Sequence, residues 1–164
     1  MYIRIKNIKG NMYGYAVRST WTKQGPRQIS KKYLGRVYAL PRISDEPILT
    51  ITWSSNGNKG VLQALFIHEL KAYGFIQKTK KIWIKNAFSA RIDSFELKKE
   101  AQPILLKNKE GYLCKYLFEK LLRYRPKRKN FDEDAIVFTK LVLALGITIE
   151  KEAFIAWFTH LYNH

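Results

Sequence analysis

Residues 1–38, MYIRIKNIKGNMYGYAVRSTWTKQGPRQISKKYLGRVY, hold three alternating runs separated by turn residues, and the reading of these runs decides the fold. From Tyr2 to Ile8, Ile3 and Ile5 alternate with Tyr2, Arg4 and Lys6, the period of two that a half-buried strand requires. Gly10-Asn11 supplies a turn. A second run, Met12 to Trp21, sets Tyr13, Tyr15 and Val17 against Met12, Gly14, Ala16 and Arg18, and after a break at Gly25-Pro26 a third extends from Arg27 to Val37. Short turns between such runs predict a three-stranded antiparallel meander. One face of it must be covered, and Ile3, Ile5, Tyr15 and Val17 suit that face. The open face would then have a shallow floor of Gly14 and Ala16, flanked by Arg4, Lys6, Arg18, and Arg27 with Lys31 or Lys32.

Working outward, residues 1 to 44 carry ten Lys or Arg and no Asp or Glu, within a chain of 164 residues whose formal net charge is +17. A content of 46% hydrophobic and 14% aromatic residues is that of a chain with a real core, which argues against global disorder. A compact body of this charge repels itself unless an anionic surface neutralises part of it, and nucleic acid is the commonest such surface. A basic β-ribbon with small central residues fits the major groove, its long side chains reaching phosphates and base edges. The bland alternative is a solvated sheet face. RNA is the principal rival to DNA, because Tyr2, Tyr13, Tyr33 and Tyr38 also suit unstacked bases.

Tyr2-Ile3-Arg4, the following hairpin, Gly25-Pro26-Arg27-Gln28 and Lys32-Tyr33-Leu34-Gly35-Arg36-Val37 together resemble the opening of many insertion-sequence DDE transposases, where a basic β-region ends in Tyr-Leu-Gly. The resemblance covers about residues 1–40 and implies that Arg4, Arg27, Lys32, Tyr33, Gly35 and Arg36 help to bind DNA. The RNase H-like catalytic domain of that family has no counterpart in these residues, so the resemblance implies no transposition chemistry.

Beyond Pro41, Asp45 and Glu46 are the first acids, Ile48 to Trp53 reads as a further strand and Ser54 to Gly60 as a loop. Val61, Leu62, Leu65, Phe66, Ile67 and Leu70 recur at helical spacing, predicting a helix over residues 59–73, ended by Gly74, that covers the sheet. Lys80–Lys85 and Ser89–Leu97 alternate, predicting a second hairpin around Asn86 with Trp83 and Phe95 cross-packed. A basic wing of a winged helix would look similar, with Lys78, Lys80, Lys81 and Lys85, but no helix-turn-helix precedes it. Leu113, Leu117, Leu121 and Tyr124 mark another helix, stopped by Pro126. Asn130 with Glu133 forms a capping box for the next, which Gly146 ends, and Thr148 caps a last one bearing Phe154, Trp157, Phe158 and Leu161. Between them Arg123, Arg125, Lys127, Arg128 and Lys129 read as a phosphate-contacting loop or a solvated linker.

The fold class expected is therefore α+β: an N-terminal three-stranded antiparallel sheet covered by a helix, a second hairpin, and a C-terminal bundle of about three helices. Its regions are 1–44 (basic sheet), 45–100 and 101–164 (helical). Asp132, Glu133 and Asp134 are explained by capping at a helix start. Glu69, Asp93 and Glu96 loosely echo a metal-dependent nuclease, but residues 75–90 hold no acid to complete such a site. His160 and His164 lack a third ligand, His68 has no nucleophile at readable spacing, and no Walker loop is present. Cys114 sits among Leu113, Tyr116, Leu117 and Phe118 and reads as buried. No cofactor, metal or enzymatic activity is expected. No apolar stretch approaches the roughly 20 residues of a bilayer span, and the alternation from Arg4 onward excludes a signal peptide, so a cytoplasmic location is expected. A protein-interaction adaptor using Phe154, Trp157 and Phe158 is the remaining alternative.

Overall fold

The computed structural model of the protein describes residues 2–53 and 56–163, with Ser30 and Lys31 described by their backbone alone. The meander is present: β1 (Tyr2–Ile8), β2 (Asn11–Thr22) and β3 (Gly25–Tyr38) pair antiparallel in chain order. Lys9 and Gly10, both at positive φ (49° and 78°), form the first turn, whose twist suits a two-residue hairpin. The second turn falls on Lys23-Gln24, and Gly25-Pro26 opens β3 rather than breaking the chain.

The expected three-stranded sheet is not an independent unit. After α1 (Gly57–Ala72) come β4 (Ile76–Gln77), β5 (Ile82–Lys85), β6 (Phe88–Arg91), β7 (Glu96–Lys99), β8 (Gln102–Asn108) and β9 (Gly111–Leu113). They join the meander in one mixed nine-stranded sheet of order β1-β2-β3-β8-β7-β6-β5-β4, with β9 paired to β8. The joint is parallel: Arg36, Val37 and Tyr38 of β3 pair with Ile104, Leu105 and Leu106 of β8. The second hairpin, β5 with β6 about Asn86, is where the alternation placed it. Its predicted second strand ends early, because Phe95 adopts φ 54° in a turn that separates β6 from β7. Trp83 accordingly faces Ala90 in register, while Phe95 stacks on Phe118 with ring centroids 5.0 Å apart. The stretch Ile48–Trp53 is not a strand; Ile48 makes a single parallel bridge to Ile149.

Nor do the C-terminal helices form a separate bundle. α2 (Lys115–Leu122) packs between α1 and α3 (Phe131–Leu145), and α3 rests on β9 and on α4 (Lys151–Asn163). Phe66 of α1 packs with Phe95 and Phe118, and Phe138 of α3 with Trp157 and Phe158, within one core that also holds Ala16, Leu34 and Leu105. The helix ends follow local chemistry. Asn130 accepts hydrogen bonds from the amides of Asp132 and Glu133, and Gly146 caps α3 in the left-handed region at φ 70°. Thr148 does not cap α4; its hydroxyl accepts from Lys109 Nζ, 2.7 Å away, and the Glu150 carbonyl accepts the first helical bond from Phe154. Among the described residues no helix is long and apolar enough to cross a membrane.

The joint between β3 and β8 depends on Gly35. It sits at φ 136°, and a Cβ there would lie 2.3 Å from the Pro103 carbonyl oxygen. Replacing Gly35 by alanine adds both backbone strain and a clash with main chain that has no rotamer to yield, and is expected to cost about 2–3 kcal/mol. Urea denaturation of Gly35→Ala beside Gly10→Ala checks this, since a Cβ at Gly10 meets nothing within 4 Å. Equal losses for the two would assign the effect to φ alone.

Candidate nucleic-acid interface

The facing of the first three strands is set by the Lys9-Gly10 turn. Ile3 lies opposite Ala16 and Ile5 opposite Gly14, whereas Arg4 lies opposite Tyr15 and Lys6 opposite Tyr13. Cross-strand partners share a face, so Gly14 and Ala16 belong to the covered side with the isoleucines. Both are buried, and a Cβ on Gly14 would meet the Leu105 side chain at 2.6 Å. The small-residue floor expected on the open face is thus turned inward, where it lets β8 approach. Tyr15, expected inside, lies on the other side; Val17 shares that side by register but is buried, as expected.

That open side carries a tyrosine ridge. Tyr15 pairs with Tyr33, their ring centroids 5.5 Å apart, and Tyr13 lies 6.4 Å from Tyr33 on the other flank. Lys6 Nζ stands 5.0 Å from the Tyr15 ring centroid, and Arg36, opposite Tyr13, donates to Asn11 Oδ1 and lies over the Tyr38 ring. Tyr33 is 47% exposed. Burial, then the neighbouring phenols of Tyr13, Tyr15 and Tyr38, push its pKa up, partly offset by Arg36, so Tyr33 stays neutral at physiological pH.

Beyond β1 the β2–β3 hairpin continues as a two-stranded arm, in which Arg18 pairs with Ile29, Ser19 with Gln28, Thr20 with Arg27 and Trp21 with Pro26. Thr22 stabilises the tip, its hydroxyl donating to the Gly25 carbonyl and accepting from the Gln24 amide. Arg4 donates to the Gln28 side chain, which ties one face of the arm to the ridge. Trp21, 84% exposed, shares that face with Gln28; Arg18 and Arg27 project from the reverse, where Arg27 also bonds Gln24. Two register shifts, at Gly14/Tyr15 and Ala16/Val17, twist the arm relative to the sheet.

The anticipated contact residues therefore divide. Arg4, Lys6, Tyr33 and Arg36 gather on the ridge, and Arg18 and Arg27 on the back of the arm. Lys32 lies opposite Ala16 and lines a notch of about 160 Å³ with Glu96, Lys98 and Lys115. Lys31 belongs to β3, its side chain lying outside the described residues. Arg123, Arg125, Lys127, Arg128 and Lys129 form the loop between α2 and α3, in which Arg125 and Arg128 border a different cleft with Trp53, Asn58 and His160. Arg125 donates to the Tyr124 carbonyl at 2.8 Å, and the Arg128 amide donates to Asp134 at 2.9 Å, so part of this loop is committed to holding α3. Tyr15, assigned to the covered face from the sequence, lies instead on the open side beside Tyr33, and Tyr13, named there only as a ring suited to unstacked bases, joins them.

Charge is distributed unevenly between these regions. Among the described residues no ion pair involves Arg4, Lys6, Arg18, Arg27, Lys32 or Arg36, whereas carboxylates elsewhere are engaged: Asp45 and Glu69 with Arg42, Asp93 with Arg91, and Glu96 with Lys115 at 2.8 Å and Lys98 at 3.2 Å. Hydrogen bonding from Lys115, opposed by burial and joined by Lys98, holds the Glu96 carboxyl below its usual range. A depressed carboxylate pKa adds stability above its unfolded value that is lost as pH falls through the folded one. Glu96→Gln should therefore flatten the acid limb of the stability profile below about pH 4.5, as chemical denaturation across pH would show. The three carboxylates of the nuclease echo sit in three separate ion-pair groups. No cluster of three metal-ligating side chains occurs among the described residues. His160 stacks on Trp53 with centroids 3.6 Å apart, and His164 lies outside the described residues. Burial pushes the Cys114 thiol up to about 12, which removes it as a nucleophile at neutral pH. Comparison with protein-family models, curated proteins and solved structures gives no match.

Proposed function

We propose that this is a noncatalytic DNA-binding protein of the cytoplasm, in which the N-terminal sheet and its projecting arm form the contact surface. The observation that carries this reading is the distribution of charge: the strands of residues 2–38 bear cations without a single ion pair among the described residues, while Asp45, Glu69, Asp93 and Glu96 are paired with lysines and arginines outside those strands. Unneutralised guanidinium and ammonium groups on an uncovered face raise the local anion concentration and release counterions from a phosphate backbone on contact. Arg18 and Arg27, on the back of the projecting two-stranded arm, are placed to reach phosphates. The likeness of residues 1–40 to the opening of insertion-sequence transposases favours DNA in the same way. RNA is the second reading, favoured by the tyrosine ridge, because unpaired bases stack on exposed rings.

Equilibrium binding to a labelled DNA across a salt series tests the proposal. Affinity should fall steeply as salt rises, and removing Arg4, Lys6 and Arg18 together should reduce the logarithmic slope by about 0.9 for each phosphate that is no longer neutralised. Removing Lys109 and Lys115, which are engaged by Asp45 and Glu96, should leave the slope near that of the wild type. A flat salt response, or equal effects of the two sets, would overturn the assignment of the surface.

A further inference from the structure

We infer that the open face of the N-terminal sheet holds a single-stranded stretch of DNA by stacking its bases along an aromatic row, a refinement that rests on the DNA-binding reading above. The row follows from register. Tyr13, Tyr33 and Tyr15 occupy adjacent positions on the open face; along the same side of β2 follow Val17, which is buried, then Ser19 and Trp21, so the indole stands apart from the three tyrosines. The Arg4–Gln28 hydrogen bond brings the arm's Gln28 and Trp21 side into line with the tyrosines. From Tyr13 to Trp21 the strand rises roughly 27 Å at about 3.4 Å per residue, a track of several nucleotides.

The chemistry of this face fits unpaired bases better than a groove. A ribbon that enters a groove needs small residues where its backbone approaches the duplex, yet Gly14 and Ala16 face the core. What remains outside is rings, and a ring can stack on a base only when that base is free of its own stack. Every base offers a π-face, so the row is tolerant of sequence. Lys6 and Arg4 on β1 and Arg36 on β3 flank the tyrosines on both sides, positions from which they reach the phosphates of a strand lying along the row. Trp21 is 84% exposed, an indole left to water at the end of the row. The three strands that carry the row hold no carboxylate, since Asp and Glu are absent before Asp45, and Glu96 and Glu119, which share a notch with Tyr33, are both paired with Lys115.

Anisotropy titrations with a single-stranded oligodeoxynucleotide, the blunt duplex containing it and the RNA of the same sequence test the inference. Three proteins are compared: the wild type, Tyr13→Ala/Tyr15→Ala/Tyr33→Ala, and the corresponding triple Phe variant. The alanine variant should lose on the order of a thousandfold in affinity for the single strand, since each stacked ring accounts for roughly tenfold and the three factors multiply. Its affinity for the duplex should stay within about threefold and its salt slope should not change, because no charge is removed. The phenylalanine variant keeps the rings and should bind the single strand like the wild type. If the triple alanine variant fails to fold, Tyr33→Ala alone must show the same selectivity. Equal losses on both forms, or none, would overturn the stacking row while leaving the salt-dependent DNA contact intact. Absence of salt-sensitive binding to either DNA by the wild type would instead sink the underlying reading. Tighter binding to the RNA, lost in the same variant, would overturn the assignment to DNA.

Discussion

Arg42→Met is expected to destabilise the protein by about 3–5 kcal/mol, the cost of stranding a buried charge. Arg42 follows β3 and reaches inward, with Nη1 2.7 Å from Glu69 Oε2 and 2.6 Å from Asn108 Oδ1, while Nε lies 2.6 Å from Asp45. Glu69 is 2% exposed and Asn108 fully buried. The Tyr73 hydroxyl lies 2.7 Å from the Lys107 carbonyl and 3.0 Å from Asn108 Oδ1, and Asn108 donates to the Leu145 carbonyl. One guanidinium thus joins the exit of β3, α1, β8 and the end of α3. Burial pulls the Arg42 pKa down, but hydrogen bonds to Glu69 and Tyr73 and the charge of Glu69 outweigh it and hold the group above its ordinary value. The cation persists at every accessible pH. Methionine fills similar volume without replacing the donors, so the loss reports the Glu69 carboxylate left without its guanidinium and Asn108 Oδ1 left with the Tyr73 hydroxyl alone. Arg42→Met/Glu69→Leu should recover a large part of it, because an apolar pair of similar size avoids the desolvation that the ion pair has to offset. Urea midpoints for the wild type, both single variants and the double variant close the cycle. A loss under about 1 kcal/mol for Arg42→Met would mean that water reaches Glu69.

The sequence made the existence of the first three strands plain, but not which way they face. Each run alternates by itself, and alternation cannot say which phase of one strand shares a face with which phase of the next. The answer lay in the turn. A two-residue loop at Lys9-Gly10 pairs Ile8 with Asn11, and every later pair then joins an odd-numbered residue to an even-numbered one. Ile3 and Ile5 therefore take Ala16 and Gly14 with them into the core and push Tyr13 and Tyr15 outward. The chain from Ser89 onward misled for a different reason. β8 has Ile104, Leu105 and Leu106 buried in succession, so it shows no period of two, and its parallel partner β3 lies more than 60 residues away in sequence. Local pattern carries no trace of such a pairing, and without it the meander reads as a free-standing sheet. The helices were legible because their signals are local: Asn130 at the start of α3, Gly146 at its end, and Gly74 just beyond α1. Ile48–Trp53 has a strand's composition, yet apart from the Ile48 bridge it takes no regular secondary structure, with Trp53 stacked on His160.

Trp157→Ala is expected to cost about 3–5 kcal/mol, and the size of the loss also decides what the C-terminal aromatic stripe is for. Trp157 is completely buried, edge-on to Phe138 with ring centroids 4.8 Å apart and an interplanar angle of 81°. Its Nε1 donates to Asn58 Oδ1 at 3.0 Å, and Asn58 in turn donates to the Leu121 carbonyl, so the indole fastens α4 to the first turn of α1 and the end of α2. Alanine leaves a large void that packed rings such as Phe138 and Phe158 fill only in part, and it strips Asn58 of a donor. Trp157→Phe keeps much of the ring volume while losing the hydrogen bond, and should fall between alanine and the wild type. If the stripe instead served a partner protein, with Trp157 turned outward, thermal and urea unfolding of the alanine variant would match the wild type to within about 0.5 kcal/mol. The outward residues of the same helices supply the contrast. Leu143 is 63% exposed and Ile155 49%, so Leu143→Glu and Ile155→Glu should leave stability nearly unchanged. Any protein contact made by α3 and α4 must then use that outer face, because Trp157 and Phe158 are occupied in holding the helices to the body of the protein.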